Sequence, residues 1–467
     1  MPPRKILLTA ALPYANRPLH VGHLVEYLQA DFWHRYHKLQ GRDSYFVCAD
    51  DTHGTPIMIE ARNRNQSPED LIKSVWLEHT KDFQDFQIEF SLYSSTNSPE
   101  NRELCETFYH AMKKGGHLKV EPVEQMYCNT DKMFLPDRFV KGTCPKCGAP
   151  DQYGDNCDVC GATYNTTDLK SPYCSLCRTP PVRKSSDHLK FQLEHFRDYL
   201  QNWVPTHTNK EMANKMMEWF KEPLRDWDIS RDAPYFGFQI PGYADKYFYV
   251  WVDAPMGYVS TTKILCDKQG LNFDDFWRSE NSDVYHFIGK DIVYFHTLFW
   301  PALLQSAGFR SPTQVCVHGM LTINGEKMSK SKGTNISVRT YLNHLDPQHL
   351  RYYFASKLNS SVDDFDWAET DFINRVNSDL VGKITNLGSR GAQMLGKKLG
   401  GKMTKPDPVG LILLQKVQAR ANEIAGLYEQ REFARVIGEI RALADETNRY
   451  FDEKAPWKTL EADPVAT

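Results

Sequence analysis

The sequence predicts an α/β protein in which a parallel sheet is split by a cysteine-rich insertion and followed by an α-helical bundle. Three observations predict it. Short apolar runs at 6–8 (ILL), 44–49 (SYFVCA), 284–288 (VYHFI) and 315–317 (VCV) have the length and continuity of strands buried on both faces. Between about residues 118 and 232 the texture turns to Cys, Gly, Asp and Pro with little periodicity. From Asp346 onward strand-like runs cease, and Phe372, Val376, Leu380, Ile384 and Leu387 keep helical spacing.

A chain of 467 residues has room for roughly three domains of about 150 residues each. Its 56 basic and 59 acidic side chains exclude a uniformly basic nucleic-acid binder and leave local patches open. No apolar run approaches the roughly 20 residues that span a bilayer. MPPRKILLTA lacks the features of a secretory signal, so a cytoplasmic protein without membrane contact is expected. Seven of the eleven cysteines fall between Cys128 and Cys177. That crowding points to metal rather than to disulfides, which suit small secreted domains.

In chain order, the first strand runs into a loop with Pro13, Asn16 and Pro18, and residues 24–36 read as an amphipathic helix. His20 and His23 are expected in its first turn, on one face. A helix start suits phosphate, and Gly22 leaves room for a flat base against the backbone. The residues alone equally allow two histidines satisfied in a cap, or half of a metal site. The second strand ends in Asp50-Asp51-Thr52-His53-Gly54. Ligands in open α/β sheets bind beyond the carboxyl ends of strands, and successive side chains there diverge, so one of the two aspartates should face the crevice. Residues 66–117 read as helices with a strand-like interruption near Phe90 to Tyr93.

Within the insertion, Cys144, Cys147, Cys157 and Cys160 form two C-x2-C knuckles, whose spacing suits a closed tetrahedral zinc shell of structural type. A third knuckle, Cys174 and Cys177, and a fourth with aspartate in its last place, Cys128 and Asp131, make a chemically sound set of three thiolates and one carboxylate, or an unligated remnant of one. Beyond it, 247–252 (YFYVWV) reads as a strand closing on Asp253-Ala254-Pro255. The strand at 284–288 leads into Gly289-Lys290-Asp291 and a helix with Ile292, His296 and Phe299 on one face. Lys327 to Gly333 (KMSKSKG) is a loop of lysine, serine and glycine that could fold over polyphosphate or simply be solvated. In the helical part, Asn386 and Arg390 share a face with Lys397, Lys398, Lys402 and Lys405 beyond them, and Trp457 reads as a core plug or an exposed stacking platform.

HVGH near the start, KMSKS at 327–331 and a helical C-terminal domain together resemble class I aminoacyl-tRNA synthetases, closest to the methionine-specific family. ALPYAN, CADDTHGTP, FLPDRFVKGTCPKCG, WDISRDAPYFG, YVWVDAPMGY, FIGKDIVYFH and DEKAPW carry the resemblance along essentially the whole chain. It implies a Rossmann-type catalytic domain in two halves, 1–117 and 233–320, around a zinc-knuckle connective insertion, 118–232. A KMSKS loop region follows at 321–345, then an anticodon-binding helical domain at 346–467 that is shorter than the family's usual one. It implies ATP-dependent ligation of L-methionine to tRNA(Met) and initiator tRNA through methionyl-adenylate. His20, His23, Lys327 and Lys330 would serve the phosphates, Gly22 the adenine, Asp291 the ribose and Mg²⁺ the ATP. Leu12, Tyr14, Asp51, Trp251, Ala254, Pro255, Tyr258, Ile292 and His296 would hold methionine. Zinc would be structural, one ion or two. Asn386, Arg390 and Trp457 would read the anticodon, and the chain is expected to be a monomer. Another class I synthetase, or an inactive zinc-containing RNA-binding relative, are the rival readings.

Overall fold

The computed structural model describes residues 4–328, 335–403 and 405–460. Five strands form one parallel sheet: β1 (Lys5–Ala10), β2 (Ser44–Asp50), β3 (Leu92–Ser95), β4 (Ser282–Gly289) and β5 (Gln314–His318). Their order is β5-β4-β1-β2-β3, with every neighbouring pair parallel. This is the doubly wound order, in which the winding reverses between β1 and β4. Both faces are covered. Ile6, Leu8 and Ala10 pack on the side of helix α1 (Leu24–Leu39), while Leu7 faces the helices Pro99–Lys114 and Val250–Gln269. Near-continuous apolar runs follow from that double burial.

The insertion hangs from a long antiparallel ribbon, Leu118–Cys128 against Val182–Phe191. Pro122 and the charges on the solvent side blur its alternation, so the residue pattern there carries no strand signal. Between the ribbon's strands lies a small core of Met126, Met133, Leu135, Phe139, Val140 and Leu169, against which Ile59 of the catalytic half packs. Among the described residues no helix is long and apolar enough to cross a membrane.

Three expectations need correction. Residues 247–252 are not one strand: Lys246–Phe248 pairs with Ser230–Asp232, and Val250–Gln269 is a helix. Its aromatic and β-branched residues reflect burial in the core, which the β-forming scales also reward. His20 and His23 do not lie in the first turn of α1. They form the turn before it, with His23 as the N-cap residue. Finally, strands do not end at 346. Phe365–Trp367 pairs in parallel with Leu321–Ile323, which also pairs with Glu326–Lys327, so the start of the 321–345 region is built into a small sheet. From Glu369 to Lys398 the chain is helical, with a π-helical stretch at Arg375–Thr385, and four further helices reach Thr459.

Candidate active site

Where the winding reverses, a cavity of about 140 Å³ opens beyond the strand ends. Leu12 follows β1, Asp51 follows β2, and Ile292 and His296 follow β4; Trp251, Ala254, Pro255 and Tyr258 come from the helix Val250–Gln269. Eight of the nine residues expected around methionine therefore share one wall, and Tyr14 is the exception. Ala11 and Phe295 join them unforeseen. Phe295 belongs to a π-helical turn, Phe295–Phe299, a distortion common at functional sites and invisible to a 3.6-residue periodicity. Pro255 sits inside its helix and has no N–H for the carbonyl of Trp251, at the rim of the cavity.

Asp50 and Asp51 diverge. Asp50 is buried away from the cavity, accepting from His79 Nδ1 at 2.7 Å and from the Tyr93 hydroxyl. Asp51 faces the cavity, its backbone fixed by bonds from its N–H to Pro13 O and from Ala15 N to its own O. Its Oδ1 is buried with no hydrogen-bond partner among the described residues. Burial, and then the neighbouring carboxylates Asp253 and Asp50, push its carboxyl well above the usual range. A carboxylate in that state is stabilised by an arriving ammonium group.

At the other end of the cavity His296 is buried and accepts from the Tyr258 hydroxyl at Nε2, 2.9 Å. Its Nδ1–H donates to Ile292 O, 3.1 Å. Burial pulls its pKa down to about 4, so it is a neutral imidazole. This end of the cavity holds no charge and both its polar groups are satisfied, which suits a polarizable apolar side chain.

A second, larger cavity of about 450 Å³ is lined by Tyr14, Asn16, Arg17, His20 and His23 from the first loop, and by Met328, Asn335 and Ser337. The two segments are joined through the backbone: Val21 N–H donates to Ile336 O at 3.0 Å and Val338 N–H to Leu19 O at 3.0 Å. The HVGH turn and the residues flanking KMSKS thus form one site. The imidazoles of His20 and His23 stack at 3.6 Å, and His20 N–H donates to His23 Nδ1, which leaves the proton of His23 on Nε2. Desolvation, and then the neighbouring His20 and His79, hold His23 well below the ordinary histidine pKa. The space a side chain at Gly22 would take is bounded by Met328 Sδ and the His20 ring, so a base there requires Met328 to move. Lys330 and the side chain of Lys327 lie outside the described residues.

Asp291, exposed after β4, folds its carboxylate back over Gly289. Beside it stands Glu26 of α1, which the sequence reading does not include. Its carboxyl is held above the usual range by burial, with Asp291 adding to the shift, and Oε1 has no hydrogen-bond partner among the described residues. The available signal is an acidic residue one turn into a helix, among apolar neighbours.

Away from these cavities, the ligand atoms of Cys144, Cys147, Cys157 and Cys160 lie within 4.8 Å of one another, as do those of Cys128, Asp131, Cys174 and Cys177. Three knuckles repeat one backbone pattern, in which the first cysteine's carbonyl accepts from the residue four on: Gly148, Gly161 and Arg178, each with positive φ. The amides of Cys147 and Cys160 donate to Cys144 Sγ and Cys157 Sγ, and that of Asp131 to Cys128 Sγ. Such amides favour thiolate, the form that binds metal, so both sets of residues fit an ion. In the helical part, Arg390 stacks on Trp457 at 5.5 Å and on Phe451 at 4.6 Å. Asn386 is exposed one turn away, and Trp457, 48% exposed, is a platform rather than a core plug.

A family model described as tRNA synthetases class I (M) matches residues 6–392. A methionine–tRNA ligase of Bdellovibrio bacteriovorus is 62% identical over 465 residues, covering 99% of this chain and 68% of its own. Two solved structures of Mycobacterium tuberculosis methionyl-tRNA synthetase with methionyl-adenylate superpose with TM-scores of 0.78 and 0.79 at 23% and 24% identity, covering 97% of this chain and 85% of theirs. At that identity they speak for the fold.

Proposed function

The chain belongs to the class I tRNA synthetase family of the methionine type, and from that premise we propose how its two cavities divide the work of a methionine–tRNA ligase. Methionine enters the smaller cavity with its ammonium on Asp51 and its thioether between Trp251, Tyr258 and His296. ATP lies in the larger cavity with its phosphates on His20 and His23 and on the lysines of KMSKS, Lys327 and Lys330, and its ribose toward Asp291. A carboxylate oxygen of methionine attacks the α-phosphorus in line. The bond to the β-phosphate oxygen breaks, pyrophosphate leaves, and methionyl-adenylate remains. A hydroxyl of the terminal tRNA adenosine then attacks the activated carbonyl and AMP departs. The protein supplies no nucleophile: it aligns the two substrates and neutralises charge as it builds on phosphate.

The observation that carries this reading is the shared cavity of the HVGH turn and the KMSKS flank beside Asp51, whose Oδ1 has no hydrogen-bond partner among the described residues. Mg²⁺ accompanying ATP would offset phosphate charge. The four-cysteine set suits structural zinc and the set containing Asp131 a second ion, both remote from the chemistry. Asn386 and Arg390 would hydrogen-bond unstacked anticodon bases of tRNA(Met) and initiator tRNA, with Trp457 stacking on one. A cytoplasmic monomer fits these assignments. Exchange of labelled pyrophosphate into ATP tests the reading. It should depend on methionine and need no tRNA; exchange supported by cysteine and not by methionine would overturn it.

A further inference from the structure

Arg17 lines the larger cavity and plays no part in the assignments above. It is exposed, and among the described residues its guanidinium makes no hydrogen bond or ion pair. Its backbone, in contrast, is held from several sides. His79 Nε2 donates to Arg17 O at 2.9 Å, and the same ring donates through Nδ1 to the buried Asp50. Burial opposes charge on His79, but Asp50 and the Arg17 carbonyl outweigh it and hold its pKa above the ordinary value. With an acceptor at each nitrogen the ring is an imidazolium, a strong and directional anchor. Pro18 restricts Arg17 to extended conformations, and the loop is tied to Asp51 by the bonds at Pro13 and Ala15.

The described lining of this cavity contains no carboxylate. With His23 neutral, Arg17 is its one permanent cation among the described residues. A permanent charge on a tethered loop, at a cavity also lined by Asn16, His20, His23, Asn335 and Ser337, has the form of an anion site waiting for its ligand. The guanidinium fork matches phosphate oxygens better than a lysine point charge does.

We propose that Arg17 binds the β- and γ-phosphates of ATP and holds them as pyrophosphate leaves, with Asp50 and His79 as the residues that position it. The proposal rests on the placement of ATP given above. When the α-phosphorus bond to the bridging oxygen breaks, the electron pair stays with pyrophosphate, and Arg17 meets that added charge. In the reverse direction it holds pyrophosphate for attack on the adenylate.

Arg17→Ala, in the full chain, should raise the KM for both ATP and pyrophosphate in methionine-dependent exchange about tenfold. The KM for methionine, the melting temperature and single-turnover transfer from preformed adenylate to tRNA should not move. Arg17→Lys should recover part of the loss. Calorimetric binding of inorganic pyrophosphate, which needs no turnover, should weaken by a similar factor and reads the site even if exchange fails in the parent chain. Unchanged pyrophosphate affinity would overturn the proposal, as would a loss confined to the tRNA step, which would mark Arg17 as a contact to the tRNA backbone.

Discussion

The two cavities are built on opposite principles. The cavity proposed for methionine is small, its aromatic wall packed into the main core, its imidazole neutral and satisfied, and one group, Asp51 Oδ1, left without a partner among the described residues. The cavity proposed for ATP is larger, more polar, and assembled from segments more than three hundred positions apart that meet through backbone hydrogen bonds. On the proposed reading the first recognises by shape with a single charge and the second takes up charge as it arrives. Changes in the second should therefore act on the rate of adenylate formation, and changes in the first on the choice and affinity of the amino acid.

The largest expected effect is on the ATP side. Lys330→Ala should cut exchange turnover roughly 100- to 1,000-fold, the usual consequence of losing one preorganised donor to developing charge, and leave methionine affinity intact. Equal damage to methionine binding would erase the division between the cavities.

Next comes the one charge on the methionine side. Asp51→Asn should raise the KM for methionine by about 10- to 100-fold, from the roughly 1.5–3 kcal/mol of a charged hydrogen bond. Because the Asp51 carboxyl is pushed above its usual range, it takes up a proton sooner as the pH falls. The KM for methionine should rise below that elevated value, and the asparagine variant should lack this acid limb. The same burial means the ligand-free fold binds a proton that the unfolded chain releases, so this group's contribution to stability falls as pH rises through that window.

A smaller effect tests shape. Norleucine replaces sulfur with a methylene, and a pocket without a directional contact to the sulfur discriminates weakly, by about 1.4 kcal/mol, near the low end of the usual range. It should support exchange at roughly a tenth of the efficiency of methionine. Complete rejection would reveal a polar contact that Tyr258 and His296, already bonded to each other, do not offer. Smallest is Trp457→Ala. The loss of a half-exposed stacking face should reduce tRNA charging by roughly fivefold, about 1 kcal/mol, with exchange unchanged.

What can be read from the sequence is local. HVGH, the C-x2-C steps and the apolar strands carry their meaning in spacings of two to four residues. The divergence of Asp50 and Asp51 follows from strand geometry alone. The start of the helix Val250–Gln269 reads as a strand with the residues before it because the aromatic and β-branched residues of 247–252 register burial, whichever backbone buries them. The pairing of Val21 with Ile336, the anchoring of Arg17 by His79 and the pressure of Asp253 on Asp51 are long-range contacts that no spacing encodes. They come from the sheet order, which brings the ends of β1, β2 and β4 together.

The most direct measurement is the crystal structure of the full chain soaked with a non-hydrolysable methionyl-adenylate analogue. The account predicts the ammonium on Asp51, the thioether against Trp251 and His296, and the phosphate within hydrogen-bond reach of the His20–His23 turn. An analogue bound with its phosphate away from that turn, or with its side chain outside the Asp51 cavity, would contradict it.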